Sequence, residues 1–407
     1  MEGVDEVDTE NLSGVVQPMA TIYDAEAVEA LRKRAAVQPQ TLKRFRNVLF
    51  KQAAGLEEAL AVLPVEQQAG FREQLQAEVL VLHETRVSEI DGAEKLIFRT
   101  QDNHLIETVI LKPQSGRTAV CISSQVGCAC YCSFCATGLM GFSRNLTVAE
   151  ILDQVRWANR RIKLEGRSVR NVVFMGMGEP LLNQAAVFEA VERLIDPAWF
   201  NLSGAHVTVS TVGIAPGMRA FAERLPSCRL ALSLHSARQS VRERLIPQAR
   251  NFPLSVLREA LEEAAERGTV MIEYLLLKNV TDQPEDLAAL VDFVGDLRVH
   301  VNLIPFNSFT GSNLEGASEA SCTDFSDKLK KRGLSVTLRR SLGADIMAAC
   351  GQLVQHKLKI DKNIVFIYVN AIITYMWCVK FLVGTILPYK IEEGGQAFIK
   401  CLESEGV

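Results

Sequence analysis

The sequence concentrates thiol side chains in one short stretch, CISSQVGCACYCSFCATG, at residues 121–138. Five of the ten cysteines in the chain fall within the first fifteen positions of this stretch. Three of them, Cys128, Cys132 and Cys135, have the spacing C-x3-C-x2-C. Because cysteine thiolates are the usual protein ligands of zinc and of iron-sulfur clusters, this spacing predicts a metal centre.

A structural zinc site and an iron-sulfur cluster are the two alternatives for this centre. Zinc in a closed structural site takes four ligands, usually from two short pairs, and no second pair follows in the sequence. Three thiolates suit a [4Fe-4S] cluster in which one iron has no protein ligand and is open to a small molecule. A protein that only passes electrons supplies a fourth cysteine, so an open iron indicates chemistry on a bound molecule. We favour the cluster and keep zinc as the alternative.

Composition indicates a globular protein of a reducing compartment. The chain has 407 residues, of which 48% are hydrophobic and 23% charged, with a formal net charge of −4. Its length predicts two or three domains. The clustered cysteines do not resemble a secreted disulfide framework, and the N-terminus, MEGVDEVDTE, lacks the features of a signal peptide. We expect a cytoplasmic protein, or one of an organelle stroma or matrix if the source is eukaryotic.

The elements that must position these thiols follow from pattern changes along the chain. Residues 1–20 are predicted to be a flexible acidic N-terminus, and residues 21–112 a helical accessory domain that ends in a hairpin with its turn at Asp91-Gly92. Residues 113–353 are predicted to form the main α/β domain. Residues 354–407 are an atypical hydrophobic extension.

Within the main domain, short β-branched runs alternate with helical patterns of about 10–15 residues, which is typical of parallel strands joined by crossover helices. Six such runs are clear, and VTLRR is a seventh candidate. This number falls short of a closed eight-stranded barrel. The fold class that we predict is therefore a partial (β/α)6 barrel, and a doubly wound open sheet is the alternative.

Polar and glycine residues follow several of these runs at the point where each predicted strand ends. In parallel α/β folds the carboxyl ends of the strands meet at one edge, and ligands bind there. We therefore expect these residues to lie around one site with the cysteine loop. They are Gly176, Gly178, Glu179, Pro180, Ser210, Thr211, Ser233, His235 and Asn307.

The same segments resemble a known family. The blocks CISSQVGCACYCSFCATGLMGFSRNLTVAEI, FMGMGEPLLN, VTVSTVGIAP, LALSLHS, NLIPFN and GADIMAACGQL, in this order, are similar to the RlmN/Cfr family of radical S-adenosylmethionine (SAM) adenosine methyltransferases. The resemblance covers about residues 86–353. It implies a radical-SAM partial barrel with a [4Fe-4S] cluster and SAM as cofactors.

The resemblance also implies how these cofactors are held. Cys128, Cys132 and Cys135 hold the cluster, and the open iron binds SAM through its amino and carboxylate groups. Gly178 lets the backbone approach the methionine end of SAM, and Glu179 provides a carboxylate for its ammonium. The carboxylate, ribose or adenine of SAM is expected to contact a further set, namely Ser210, Ser233, Leu234, His235 and Asn307. Cys130 has no implied role, and we expect a small semi-buried thiol there.

The implied reaction is methylation of an adenine carbon in RNA. Because C2 and C8 of adenine are not nucleophilic, a radical derived from SAM is needed. Cys350 is first methylated by one SAM, a second SAM yields a radical that activates this methyl group, and the resulting carbon radical adds to the base. Cys121 then resolves the adduct as a disulfide with Cys350, and Glu107 acts as the general base.

The predicted substrate is C2 of adenosine in 23S ribosomal RNA, with transfer RNA as a second substrate. A C8 methyltransferase of the Cfr type and another radical SAM enzyme are alternatives within the chemistry. A non-catalytic iron-sulfur or zinc RNA-binding module is the alternative outside it. An electron donor such as flavodoxin or ferredoxin and a thiol reductant are expected partners of a monomer.

A basic segment near the N-terminus bears on the RNA partner. Residues 31–51 carry seven bases and no acid. Lys43, Arg46 and Lys51, with Phe45 and Phe50 between them, predict a basic face that contacts RNA phosphate and stacks a base.

Residues 364–387 have one charge, Lys380, in 24 positions, which is long enough for a membrane span. Membrane anchoring is not expected, because the chemistry needs no membrane. A gene-model artefact or an atypical terminus is favoured over an anchor, an extra helix or a strand pair.

Overall fold

The computed structural model of the chain describes residues 19–113 and 116–353. Nearly all of the predicted acidic N-terminus and the whole predicted extension 354–407, with its apolar segment 364–387, lie outside the described residues. In the described ranges no helix is both long and apolar enough to span a bilayer.

The described part of the chain alternates between strands and helices along most of its length. The strands, in chain order, are β1 Ala20–Thr21, β2 Leu75–Gln76, β3 Val81–Val87, β4 Glu94–Arg99, β5 Leu105–Leu111, β6 Thr118–Cys121, β7 Gln125–Gly127, β8 Phe142–Asn145, β9 Val169–Phe174, β10 Val207–Thr211, β11 Arg229–Ser233, β12 Thr269–Leu276, β13 His300–Pro305 and β14 Ser335–Leu338. The α-helices are α1 Ala25–Arg34, α2 Pro39–Arg46, α3 Leu56–Leu60, α4 Val65–Gln74, α5 Ala136–Leu139, α6 Val148–Lys163, α7 Gln184–Ile195, α8 Ala215–Arg224, α9 Gln239–Leu245, α10 Leu254–Arg267, α11 Pro284–Val294 and α12 Glu319–Lys331. A π-helical turn, Asn47–Lys51, and three-ten turns, Pro180–Asn183, Gly204–His206 and Pro247–Arg250, complete the elements.

The main sheet is built mostly from parallel strands in sequential order. Strands β6, β9, β10, β11, β12, β13 and β14 are neighbours in that order, and each pair is parallel. At least one helix separates each pair along the chain. An order without reversal places right-handed crossovers on one face, which is the geometry of a barrel, whereas a doubly wound sheet reverses at a switch point. The predicted partial barrel is confirmed, and β14 is the seventh strand.

The predicted hairpin is a three-stranded antiparallel meander, β3 to β5, that extends the same sheet. Its first turn contains Gly92 with a φ of 72°, a value that a side chain disfavours. Strand β5 pairs antiparallel with β6, with Val109 opposite Cys121. The predicted domain boundary at 112/113 therefore falls between two strands that are hydrogen-bonded to each other, and this boundary stays a prediction.

The N-terminal helices pack against the barrel through aromatic and buried polar side chains. The Tyr23 hydroxyl donates to Asp153 Oδ1 on α6 at 2.6 Å, and Asp153 Oδ2 accepts from the backbone amides of Val79 and Leu80. All of these groups are buried. A carboxylate that satisfies three donors from two distant segments fixes those segments against the helix that carries it.

The expectation that Phe45 and Phe50 stack an RNA base is wrong. Each side chain is only 1% exposed. Phe45 packs edge-on against Phe71 at 5.6 Å, and Phe50 lies 4.7 Å from the Trp199 ring. Both rings pack in the hydrophobic core because their spacing places them on the side of the helical segments that faces it. Lys43 and Lys51 remain exposed.

Candidate active site

The cysteine loop follows strand β7 and leads into helix α5 at the barrel mouth, and both lie between the two strands of the short hairpin β7–β8. The Cys128 amide donates to the Gly141 carbonyl oxygen at 2.8 Å, and a Cβ on Gly127 would lie only 2.0 Å from that oxygen. A Cβ on Gly138 would meet the Cys132 amide nitrogen at 2.8 Å. These close backbone approaches require glycine, so the loop has little freedom to move its thiols.

The cysteine side chains of this loop line one cavity with the ends of the parallel strands. The cavity encloses about 850 Å³, including its open mouth. It is lined by Cys128, Cys130, Cys132, Phe134, Cys135, Phe174, Met175, Gly176, Gly178, Glu179, Pro180, Ser210, Thr211, Val212, Ser233, His235, Glu273, Leu275, Ile304, Phe306, Cys350 and Gly351. Eight of the nine residues expected at this edge line the cavity together with the cysteine loop, and Asn307 does not.

Burial and one thiol–thiol hydrogen bond set the pKa values of the three predicted cluster ligands. Burial raises the pKa of Cys132 and of Cys135, so each needs a nearby cation to ionise. The pKa of Cys128 is lowered by a hydrogen bond from Cys130, which is 1% exposed and therefore buried rather than semi-buried. Among the described residues, no three His, Cys, Asp or Glu side chains are grouped as ligands of a single metal ion.

Gly178 and Glu179 lie in the loop after β9. Gly178 has a φ of 99°, and a Cβ there would lie 2.5 Å from Gln125 Cβ. Glu179 is buried, and its carboxylate accepts from the amides of Leu181 at 3.0 Å and Val212 at 2.8 Å. Burial raises the pKa of Glu179 to about 7. A carboxylate held in this way has lone pairs left for a cationic or amino group in the cavity.

Strands β10 and β11 place two serines and a histidine at the cavity. Ser210 lies in β10, Ser233 is the last residue of β11, and His235 comes two residues later. The hydroxyls of Ser210 and Ser233 are 3.0 Å apart. The imidazole of His235 packs edge-on against Phe134 with ring centroids 4.6 Å apart, and burial, with the charge of Arg242, lowers its pKa to about 3. His235 is therefore neutral and can accept a hydrogen bond.

The buried guanidinium of Arg242 on α9 fixes these strand ends. It donates to the carbonyl oxygens of Ser233, Leu234 and Val212. Leu234 itself is fully buried and does not line the cavity. The contact of Leu234 with SAM stays a prediction. Its backbone rather than its side chain would have to make this contact.

Cys350 lines the first cavity and also a second one of about 660 Å³, which Cys121 lines too. Met175 and Ile304 are likewise shared by both cavities. The two cysteines predicted to act together are therefore in one cavity, next to the cluster loop. Asn307 does not line either cavity but donates from Nδ2 to the Cys350 carbonyl oxygen at 3.4 Å.

The position of Cys350 is fixed by contacts with the cysteine loop. The Ala136 amide donates to the Gly351 carbonyl oxygen at 2.7 Å. The Thr137 hydroxyl donates to the Leu353 carbonyl oxygen at 2.6 Å. These bonds hold Cys350 against helix α5, the element that directly follows Cys135.

Glu107 lies on β5 and is fully buried. Its Oε1 forms an ion pair with Lys95 Nζ at 3.1 Å, and Lys95 also donates to the Met347 carbonyl oxygen at 3.0 Å. Glu107 lines neither of the two cavities that contain Cys350. Its role as general base stays a prediction.

Comparison with known proteins assigns the site to a family. The family model of the Radical SAM superfamily matches residues 122–292 of this chain. A probable RNA methyltransferase of Rhodopirellula baltica is 45% identical over 339 residues, which are 83% of this chain and 88% of that protein. A probable dual-specificity RNA methyltransferase RlmN of Chloroherpeton thalassium is 44% identical over 268 residues, which are 64% of this chain and 73% of that protein. The chain belongs to the RlmN/Cfr family of radical SAM RNA methyltransferases.

A solved structure supports the family fold. The crystal structure of a radical SAM methyltransferase from Sphaerobacter thermophilus is 36% identical, with a TM-score of 0.77, and the match covers 83% of this chain and 99% of that one. Membership of the RlmN/Cfr family implies a [4Fe-4S] cluster and SAM as cofactors.

The residues present fit both cofactors of the RlmN/Cfr family. Buried thiols provide ligands for iron, and the first cavity is lined mainly by apolar side chains with a few polar groups, which is typical of a small-molecule site. Two buried polar atoms of lining residues, His235 Nδ1 and Glu273 Oε2, have no hydrogen-bond partner within the described protein. Because buried polar atoms are almost always paired, these two are expected to meet a polar ligand.

Two site residues were missed from the sequence. Glu273 lies in the middle of β12 and lines the first cavity, and Arg339 lines the second, 3.7 Å from Glu273 Oε1. The signal for Glu273 was an acidic residue inside the apolar run VMIEYLL, where a charge is costly unless it has a role. Arg339 comes directly after β14 and carried no comparable signal.

Proposed function

We propose that this chain methylates C2 of adenosine in 23S ribosomal RNA, with transfer RNA as a second substrate, through an S-methyl group on Cys350. The observation that supports this most directly is that Cys350 lines both the cavity of the cluster thiols and the cavity of Cys121. A residue that carries a group between a cofactor and a resolving thiol has to be accessible to both. The relatives named RlmN, which carry the words dual-specificity in their names, favour two RNA classes.

In this proposal, Cys128, Cys132 and Cys135 hold the cluster, while Gly178, Glu179, Ser210, Ser233, His235 and Asn307 surround SAM. When bound, these two groups supply the methyl donor and the one-electron chemistry that an unreactive adenine carbon requires. The buried carboxylate of Glu179 accepts hydrogen bonds from the amino group of the ligand. The neutral imidazole of His235 offers Nδ1 as an acceptor or a donor according to its tautomer.

Cys350 accepts the methyl group and presents it to the base. Burial raises the pKa of the Cys350 thiol although part of the residue is exposed, and the positive charge of Arg339 opposes this rise. Burial likewise raises the pKa of Cys121, again with Arg339 acting in the opposite direction. Arg339 therefore stabilises the thiolate form of both cysteines, which is the form that reacts in methyl acceptance and in disulfide formation.

Before release, a methylene group links the base to the Cys350 sulfur. The Cys121 thiolate attacks that sulfur, the sulfur–carbon bond breaks with its electron pair going to the carbon, and the carbon takes up a proton to become the methyl group. The two sulfurs are left as a disulfide that a thiol reductant must reduce before the next cycle. An electron donor such as flavodoxin or ferredoxin is a further proposed partner, and the protein is proposed to act as a monomer.

The decisive experiment compares Cys350→Ala with Cys121→Ala, using labelled RNA and a denaturing gel. Cys350→Ala removes the methyl carrier, so neither methylated RNA nor a covalent complex should form. Cys121→Ala keeps the carrier but removes the resolving thiol, so a covalent RNA–protein species should accumulate. The cluster absorbance of both variants should match the parent protein.

Normal turnover of both variants would mean that the two thiols are only packing residues, and the proposed mechanism would be wrong. Mass spectrometry of digested ribosomal and transfer RNA, from cells with and without the gene, distinguishes 2-methyladenosine from 8-methyladenosine. Appearance of the C8 product would replace the proposed regiochemistry with that of the Cfr type.

A further inference from the structure

The opposite end of the barrel carries a group of arginines that the proposed function does not use. Arg117 directly precedes β6, Arg167 and Arg170 flank the start of β9, and Arg229 begins β11. These four residues form the rim patch. They lie at the amino ends of the parallel strands, whereas the two cavities that contain Cys350 lie at the carboxyl ends.

The strand register brings the rim patch together. Thr118 pairs with Val169, so Arg117 and Arg170 lie next to neighbouring strand starts. Thr208 pairs with Arg229, and Val207 pairs with Val172, so β10 lies between β11 and β9. Arg229 therefore lies at the same edge of the sheet as the starts of β6 and β9. His206 directly precedes β10, and burial lowers its pKa. The charges of three rim-patch arginines lower this pKa further, which agrees with their position near His206; they are Arg170, Arg229 and Arg117.

The positive charge of the rim patch is not neutralised within the described protein. Arg117, Arg170 and Arg229 make no side-chain ion pair or hydrogen bond to any described residue, and Arg167 donates only to the Thr118 hydroxyl at 3.2 Å. Several other exposed arginines are paired, such as Arg219 with Glu263 and Arg224 with Glu192. A group of like charges without acidic partners raises the local positive potential and attracts anions.

Three arginines of the rim patch also line a recess of about 710 Å³. The rest of its lining is Gly116, Gly166, Thr118 and Ser168, so no apolar side chain contributes. Gly116 and Gly166 both have positive φ values, 76° and 69°, which shape the two loops around the recess. Guanidinium and hydroxyl groups around a polar recess are the donors that phosphate oxygens accept from.

We propose that the rim patch binds phosphodiester groups of the RNA substrate at a distance from its target base. This inference rests on the proposed function, because it requires an RNA held at the barrel mouth. An acidic protein is the less suitable partner, since protein interfaces need an apolar core with aromatic anchors, and the recess has none. A strand of five residues spans roughly 17 Å, so only an RNA that extends well beyond the target loop can reach both ends of the barrel.

The test is a binding comparison with matched charge changes. The double variant Arg117→Gln/Arg170→Gln removes two charges from the rim patch. The double variant Arg219→Gln/Arg224→Gln removes two charges from helix α8, away from the patch. Fluorescence anisotropy then measures the affinity for a full-length transfer RNA transcript and for an isolated hairpin too short to span the barrel, at several salt concentrations.

We expect the rim variant to bind the transcript roughly tenfold more weakly near physiological salt, with the slope of log affinity against log salt reduced by about two. Its affinity for the short hairpin and its cluster absorbance should equal those of the parent protein. The α8 variant should bind both RNAs as the parent protein does.

Equal transcript binding by the two double variants would overturn the proposal, as would an equal loss for transcript and hairpin. Titration with tripolyphosphate separates a free anion from RNA: if the rim variant loses only tripolyphosphate binding, the RNA assignment is wrong. Failure of the proposed function would show differently, as the absence of methylated adenosine with all proteins while transcript binding by the parent protein persists.

Discussion

Gly351, the neighbour of the proposed methyl carrier Cys350, gives a sharp test of how the carrier is positioned. Its φ is 82°, and a Cβ at this position would lie 2.9 Å from the Phe134 carbonyl oxygen in the cysteine loop. Since both partners are backbone, Gly351→Ala can be accommodated only if the two segments move apart. We therefore expect this substitution to displace Cys350 from the cluster loop.

The magnitude follows from two separate contributions. A left-handed backbone costs a non-glycine residue about 1–2 kcal/mol. Gly333 supplies a matched control, because its φ is 84° and a Cβ there would meet nothing within 4 Å. Gly333→Ala should lose only the backbone contribution, whereas Gly351→Ala should lose more stability and also misplace the thiol. Because small errors in reacting geometry are costly, we expect RNA methylation by Gly351→Ala to fall roughly tenfold or more.

The assay measures three quantities on both variants. Urea denaturation gives the free energy of unfolding, visible absorbance gives cluster content, and mass spectrometry gives the methylated fraction of Cys350 and of the RNA. The expected pattern is a similar cluster content in both, with a loss of methylation confined to Gly351→Ala. If Gly351→Ala methylates RNA as fast as Gly333→Ala does, the backbone contact does not position Cys350, and this reasoning is refuted.

Two further predictions concern the metal site and stability. Anaerobically reconstituted Cys130→Ala should retain iron, sulfide and cluster absorbance, whereas Cys132→Ala should lose them, and loss in the Cys130 variant would contradict the ligand assignment. Burial raises the pKa of Asp153 to about 6 from an ordinary 3.8, so the folded protein keeps a proton that the unfolded chain has already released. Its contribution to the free energy of unfolding should therefore fall by roughly 1 kcal/mol as the pH rises from about 5 to about 7. Denaturation of the parent protein and Asp153→Asn at both pH values measures this difference, and parallel pH profiles would contradict it.

The barrel and its mouth could be predicted because their signals are local. Each parallel strand is a short apolar run, and most of the predicted cavity residues lie at or just after the end of such a run, so Ser210, Ser233 and His235 were assigned to one edge without knowledge of any contact. The short spacing of the cysteines similarly predicts a loop whose thiols lie close together. For these residues, sequence neighbourhood and spatial neighbourhood coincide.

Features set by packing between distant segments could not be predicted in this way. Phe45 and Phe50 alternate with basic residues and suggested a stacking surface, but burial of their rings against Phe71 and Trp199 depends on segments far along the chain. The rim patch was missed because its arginines lie near the starts of three separate strands, β6, β9 and β11. Only the register of the sheet makes them neighbours.

The antiparallel meander β3–β5 contacts the segment that carries Cys350 and holds it in place. After β14 the chain crosses the barrel mouth without regular structure, and the meander holds it on one side. The Gly343 amide donates to Asp91 Oδ2 at 2.8 Å, and Lys95 donates to the Met347 carbonyl oxygen at 3.0 Å.

The cysteine loop holds the other side of this segment through Thr137, which donates to the Leu353 carbonyl oxygen. The Lys95 ammonium is fully buried, so it requires the carboxylate of Glu107, 3.1 Å away, to remain charged in that place. Glu107 thus supports the position of Cys350 through Lys95, whether or not it also removes a proton from the substrate. Loss of activity on its substitution would therefore not by itself identify it as the base.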